Sequence, residues 1–454
     1  MLKRKIDNYL VEWKNNPNRL PLIIKGARQI GKTTSILNFA RNNYKNVIEI
    51  NFFEHPEYKQ IFSNGYSPDN IIKNITVIHP ELEFTANDTL LFFDEVQQYM
   101  DATASLKFFK LDGRYDVICS GSALDVNLKN VSSISVGYKT DVEMFSLDFE
   151  EFLWALNYKE DVIDEIKEHV LKLEPFSNLW FNQLSDLFQD YIFVGGMPAI
   201  VDKYIKQKNF SGVLQVQKQI VLDYDDDIGK YVEGLDISKV KTMYRHIASQ
   251  LAKDNHKFQI TKLGHGARNN QYVGCNAWLS DAGVINNCFG LEELSLPLKA
   301  YENLDNYRMY FSDTSLLVAS LDDQSQEDLR INKNFGVYKG ALYENIACEA
   351  LRKQGYDLYF YKSEDARLEL DFLIRIKDNV VPIEVKSNSG KPTSLLNAIK
   401  SNEYECVKYG IKFSKQNIGY ENNIITLPFF TIFGLKDILN NRNGYKLQEV
   451  IDKY

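Results

Sequence analysis

Cysteine is sparse in this chain of 454 residues: Cys119, Cys275, Cys288, Cys348 and Cys406 are scattered, with no C-x-x-C pair. That scatter excludes a disulfide framework and a cysteine-built zinc site, and it fits a reducing cytosol. Long apolar runs are missing as well. No stretch of about 18 apolar residues occurs, so no segment reads as membrane-spanning. The basic start, Met1-Leu2-Lys3-Arg4-Lys5-Ile6-Asp7, is not followed by the apolar core of a secretory leader. The expectation is a cytoplasmic protein with no membrane partner. Excess positive charge is absent too: the net charge is -8, so contact with nucleic acid must rest on a local patch. There is no low-complexity tract and no internal repeat. Hydrophobic and charged fractions of 44% and 25% are ordinary for a globular chain. The length suggests about three domains.

What is present begins with Gly26-Ala27-Arg28-Gln29-Ile30-Gly31-Lys32-Thr33, followed by Thr34. It lies between an apolar run, Leu22-Ile23-Ile24, and a segment that reads as helix from Thr33 to about Asn42. Strand, glycine-bearing loop and helix together make G-x-x-x-x-G-K-[ST] a phosphate site. Loop N–H groups and the helix N-terminus face the anion. In that geometry Lys32 reaches the β- and γ-phosphates and the Thr33 hydroxyl ligates Mg²⁺. A Rossmann dinucleotide fold would need G-x-G-x-x-G here, and that pattern is missing.

Thr89-Leu90-Leu91-Phe92-Phe93-Asp94-Glu95 reads as a buried parallel strand ending in two acids. Ligands bind at that edge of an open α/β sheet. Asp94 is expected to hold Mg²⁺ and Glu95 to polarise the attacking water. A further strand, Val117-Ile118-Cys119, runs into Ser120-Gly121-Ser122. Ser120 or Ser122 is placed to sense the γ-phosphate, with Ser122 assigned to the nucleotide site. Alternating strands and helices imply a mostly parallel sheet covered on both faces, an α/β fold. Its core is expected over residues 1–147.

Asp148 and Glu151 form a capping-box pattern that opens a helical region, expected over 148–237 as a lid. Gly195-Gly196-Met197-Pro198 marks a turn within it, and Asp225-Asp226-Asp227 reads as a solvated acidic turn. Residues 238–325 suggest three helices and a hairpin, a winged-helix-like region. There Lys257, Lys262, His265 and Arg268 are offset by Asp254 and Asp281.

The last region, 326–454, carries a second constellation. Leu368–Ile374 and Val380–Lys386 read as hairpin strands joined at Asp378-Asn379. That turn pairs Asp371 with Lys386 and sets Glu384 on the same face, roughly 7 Å from Asp371. Two acids beside a lysine suit phosphodiester hydrolysis, with the acids holding Mg²⁺ and Lys386 stabilising charge. This is the PD-(D/E)xK pattern, and Glu344 on an upstream helix is a candidate third acid. DNA or RNA is the partner this domain suggests, and a homo-oligomer is the assembly considered.

With these residues in hand, the chain resembles a prokaryotic family of AAA-type ATPases that end in a domain named DUF4143. The resemblance rests on Gly26 to Thr33, Leu91-Phe92-Phe93-Asp94-Glu95-Val96-Gln97, and Ser120-Gly121-Ser122. It rests also on Leu147-Asp148-Phe149-Glu150-Glu151-Phe152-Leu153, Val194-Gly195-Gly196-Met197-Pro198 and Ile383-Glu384-Val385-Lys386. It implies ATP binding at Lys32 and Thr33, Mg²⁺-linked hydrolysis through Asp94 and Glu95, and a nuclease-like C-terminal fold. Two positions depart from the family. Tyr138, then Lys139, follows Gly137 where a basic residue is frequent, and Ser315 follows Asp313-Thr314 where glycine is favoured.

Overall fold

A computed structural model describes residues 1–122, 135–232, 234–252, 258–322, 326–328, 338–387 and 390–439. Lys257 and Asp254 lie outside the described residues, as does the side chain of Ser122. The chain forms two compact units: Met1–Ser146 with Asp281–Gly283, and Leu147–Ser280 with Val284–Tyr454.

The first unit is built on five parallel strands: β1 (Leu22–Gly26), β2 (Asn46–Asn51), β3 (Thr89–Asp94), β4 (Asp116–Ser122) and β5 (Thr140–Glu143). Their order is β2-β3-β4-β1-β5. All six residues of β3 are buried, as expected of an apolar run in a sheet covered on both faces. One face packs Ile23, Ile48, Ile50, Leu91, Phe93 and Cys119 against Ile61, Ile71, Ile75, Leu106 and Phe109. Each such side chain contributes about 1.5–3 kcal/mol on burial. The helix Pro68–Ile78 starts where Ser67 accepts from the Asn70 N–H and Pro68 takes the first position.

The second unit combines helices with an eight-stranded mixed sheet. Its strands are β6 (Ile285–Leu291), β7 (Glu302–Phe311), β8 (Tyr359–Lys362), β9 (Glu369–Ile376), β10 (Asn379–Lys386), β11 (Gly410–Ser414), β12 (Gly419–Glu421) and β13 (Ile424–Pro428). Their order is β12-β13-β11-β10-β9-β8-β6-β7. The whole is α/β.

Two local readings change. The hairpin β6–β7, read as a wing, is one margin of this sheet, because β6 also pairs in parallel with β8. An open strand edge is satisfied by the nearest partner, and here β8 supplies it. Asp225 does not sit in a turn: it lies within the helix Val213–Tyr231 and takes ion pairs from Lys241 and Arg245 at 2.8 Å each.

The helices read as a lid belong to the second unit. The capping box is present there: Glu151 N–H donates to Asp148 Oδ1 at 2.9 Å, and Asp148 N–H to Glu151 Oε2 at 3.0 Å. Motifs that carried no chemistry meet nearby in a buried polar network around Glu349. Its carboxylate accepts from Lys353 Nζ at 2.6 Å, Tyr191 Oη at 3.2 Å, Thr314 N–H at 2.7 Å and Thr314 Oγ1 at 2.6 Å. Tyr191 and Lys353 also donate to the Leu147 carbonyl, whose N–H donates to Gly196 O at 2.7 Å. Gly196 N–H in turn reaches Asp313 Oδ2 at 2.9 Å.

The glycines here are required by close approach. A Cβ at Gly196 would collide with the Leu147 carbonyl, and one at Gly195 with Asp313 and Ser315. Ser315, where the family favours glycine, sits in the first turn of the helix Thr314–Ala319 and donates to Asp313 Oδ1 at 3.0 Å. Ordinary helical backbone suffices there.

Glu349→Ala would remove an acceptor shared by four donors, one of them a buried ammonium. The expected cost is about 3–5 kcal/mol, read as a lower denaturant midpoint, with Glu349→Gln intermediate. A loss for Glu349→Ala below about 1 kcal/mol would mean that the network is slack.

Candidate functional site: a loop, two acids and a second charged face

The C-terminal ends of the first sheet bring together residues distant in sequence. The loop after β1 uses three positive φ values, Gly26 at 159°, Gln29 at 61° and Gly31 at 90°, before the helix Lys32–Asn43. A Cβ at Gly26 would strike the Met144 carbonyl oxygen. Gly31 caps the helix in a left-handed conformation that a side chain would resist. The Arg4 guanidinium, buried, donates to Ile30 O at 2.9 Å and Phe145 O at 2.6 Å, which fixes the loop from behind. Sequence reading missed Arg4, since nothing in a basic N-terminal run distinguishes it.

Lys32 is only 7% exposed and turns back on its loop, donating to Gly26 O at 3.0 Å and Ala27 O at 2.7 Å. Burial pushes its ammonium down to about 8; Glu95 and Asp94 oppose that shift and Arg28 adds to it. Thr33 Oγ1 donates to Asp94 Oδ2 at 3.0 Å. Ala27, Arg28 and Ile30 complete the loop, and Thr34 stands in the first helical turn. The loop strand β1 and the acid strand β3 are not neighbours; β4 lies between them. That order puts Ser120, on β4, against Asp94: its hydroxyl donates to Asp94 Oδ1. Ser122 ends the same strand.

Asp94 gathers further partners. Asn51, level with it on β2, donates from Nδ2 to Oδ2 at 3.4 Å, and Glu95 N–H donates to Oδ1 at 3.0 Å. A polar residue ending the strand beside an acid strand was the available signal for Asn51. Glu95 has a left-handed φ of 53°, which turns it out of β3, and Gln97 Nε2 donates to its carboxylate. The oxygens of Thr33 and Asp94 are hard donors of the type that Mg²⁺ takes. At Gly137, the following Tyr138 ring lies under Lys107, and Lys139 pairs with Asp141 at 2.5 Å.

The second charged face lies on the eight-stranded sheet. The β9–β10 turn is Lys377-Asp378, one residue earlier than expected, with Ile376 opposite Asn379 and Phe372 opposite Ile383. Lys377 has the left-handed φ, 54°. The register therefore moves by two residues, which keeps every side chain on its face. The next position along sets Glu384, not Lys386, opposite Asp371.

Asp371 Oδ2 accepts from Val385 N–H at 2.9 Å. Burial, then the Glu344 charge, pushes this carboxyl up to about 6, against the Val385 N–H and the charges of Arg308 and Lys386. Glu384 is buried and its carboxyl raised by that burial; Oε1 pairs with Lys386 Nζ at 2.6 Å, and Oε2 has no hydrogen-bond partner. Glu344 Oε2 accepts from Tyr310 Oη at 3.1 Å. Buried Arg308 pairs with Glu369 at 2.6 Å and lies over the Phe360 ring. Glu344, Asp371 and Glu384 share a region, each with its own partner. Among the described residues, no three His, Cys, Asp or Glu side chains are gathered closely enough to hold a metal ion.

Comparison with known proteins follows this division. Residues 18–153 match an AAA domain, residues 185–327 a domain of unknown function, DUF8612, and residues 339–430 another, DUF4143. An uncharacterized protein of Methanocaldococcus jannaschii is 23% identical over 391 residues, covering 82% of this chain and 76% of that protein. A Walker-type ATPase of Pyrococcus abyssi aligns over 70% of this chain and 96% of its own, at 13% identity and a TM-score of 0.42. The Aeropyrum pernix ORC1 protein, solved in complex with DNA, aligns over 73% and 92%, at 8% identity and a TM-score of 0.29. No helix among the described residues is long and apolar enough to cross a membrane.

Proposed function

Because the chain carries an AAA-type P-loop ATPase domain and a DUF4143 domain, we propose that it binds and hydrolyses ATP to drive a nucleic-acid-processing C-terminal domain. The observation that carries the first half is the convergence of Lys32, Thr33, Asp94 and Ser120 at one sheet edge. Gly26 to Gly31 and the helix start at Lys32 cradle the phosphates with backbone N–H groups. Lys32 exchanges its two loop carbonyls for phosphate oxygens. Thr33 and Asp94 would hold Mg²⁺, which when bound neutralises phosphate charge. Glu95 accepts the proton of the attacking water, and Ser122 or Ser120 senses the γ-phosphate. Arg28, close enough to depress the Lys32 ammonium, adds positive charge at the loop.

For the C-terminal domain we propose that Asp371 and Glu384, with Glu344, which share a region without closing around one point, would draw together on a metal ion when it binds, with Lys386 as the charge-stabilising residue. The unpartnered Glu384 Oε2 supports this, since a buried carboxylate oxygen needs a cation or a donor. A second reading has its own support. Each carboxylate is already engaged, which suits a nucleotide-controlled switch whose nuclease-like domain only binds a partner.

The experiment is cleavage of DNA and RNA substrates by the full chain with Mg²⁺, with and without ATP. The expected result is cleavage reduced at least about 100-fold in Asp371→Ala and Lys386→Ala. Absence of cleavage on every substrate would select the switch.

A further inference from the structure

Beside Glu384 stands a second lysine that this function has not used. Strands β10 and β11 run parallel with Glu384 level with Lys412 and Lys386 level with Ser414. Neighbouring strands lie about 4.8 Å apart, so level residues share a face. Lys412 is buried, and among the described residues its ammonium hydrogen-bonds to a neutral partner, Gln416 Oε1, at 2.7 Å, with the Glu384 charge nearby. Lys386 already takes Glu384 Oε1, and Glu384 Oε2 is buried without a hydrogen bond. A buried ammonium held by one amide oxygen is under-satisfied, because three N–H donors need acceptors.

Gln416, the partner of Lys412, is exposed. Lys415 lies over the Tyr343 ring, and burial together with the nearby Lys339 charge lowers its ammonium. Lys386 thus stands near Lys412, and Lys339 near Lys415, two pairs of cations on a chain of net charge -8.

We propose that Lys412, oriented by Gln416, is a phosphate-binding residue that seats a nucleic-acid phosphodiester beside Glu384 and Lys386, with Lys415 and Lys339 following the backbone outward. This rests on the nucleic-acid reading of the C-terminal domain. It adds a residue that a two-acid, one-lysine pattern does not contain.

The test is fluorescence anisotropy of a labelled oligonucleotide, single-stranded and duplex, titrated with the full chain over a range of salt. Lys412→Met is expected to weaken binding about 10-fold at low salt and to cut the slope of log K against log salt by about 0.7–0.9, one phosphate contact. Lys412→Arg should restore most of both. Gln416→Leu, at an exposed position that folding tolerates, should weaken binding about threefold. If wild type binds and none of these variants changes affinity or slope, Lys412 is not a phosphate contact, while the nucleic-acid reading survives. If wild type binds neither form of the probe at low salt, that reading fails and this one with it.

Discussion

Replacing Lys32 with alanine is expected to weaken ATP binding at least about 100-fold while leaving the nucleotide-free protein at least as stable. The two halves have one cause. Lys32 is 7% exposed, and burial holds its ammonium down to about 8, so the charged form is disfavoured in the folded state. Removing it relieves a desolvated charge at the loss of two hydrogen bonds to loop carbonyls. In the proposed ATP complex the same ammonium would bond to phosphate oxygens, each such bond contributing about 1.5–3 kcal/mol. Two of them make the expected loss of affinity at least about 100-fold. Thermal denaturation reads both effects. The midpoint without ATP should hold or rise, and the rise normally caused by ATP should vanish.

Linkage adds a signature in the wild type. The folded value lies below the ordinary 10.5, so between about 8 and 10.5 the folded chain holds fewer protons than the unfolded one. This group's contribution to stability therefore rises with pH across that window. If Lys32 holds the phosphates as proposed, in its charged form, ATP binding is expected to take up a proton there and affinity to fall as pH rises through about 8. Calorimetry in two buffers of different ionisation enthalpy measures that proton. Unchanged affinity in Lys32→Ala would remove the residue from the site.

Glu95→Gln is expected to give the opposite pattern: ATP binding within about threefold of wild type, and turnover lower by about 100- to 10,000-fold, the range for loss of a general base. The substitution keeps shape and hydrogen bonding, so the left-handed turn at Glu95 and the contact with Gln97 can persist. What is lost is proton affinity. Single-turnover hydrolysis with radiolabelled ATP separates the two effects. Retained turnover would transfer the water-activating role to another group.

Legibility differed between the two sites. The loop Gly26 to Thr33 is contiguous, and its chemistry depends on local backbone: a strand, three positive φ values and a helix start, all dictated by adjacent residues. The acid pair was readable because a four-residue apolar run, Leu90 to Phe93, leaves its polar end at a sheet edge. Arg4, Asn51 and Ser120 were harder, since each acts through a partner 26 to 141 positions away. The hairpin shows how a correct face can come with a wrong register. Moving the turn from Asp378-Asn379 to Lys377-Asp378 shifts pairing by two residues, and a period of two preserves the face while changing the neighbour.

By itself the sequence determined the phosphate loop, the buried acid strand, the capping box at Asp148 and the hairpin that carries Asp371 and Glu384. These are short-range patterns in which side-chain type and spacing suffice. Only the tertiary structure decided that β4 lies between the loop strand and the acid strand, and that β6 and β7 join the C-terminal sheet. It alone drew Leu147, Gly196, Asp313 and Glu349 into one buried network. Strand order and buried polar pairing depend on which surfaces exclude water together, and no local window of residues contains that information.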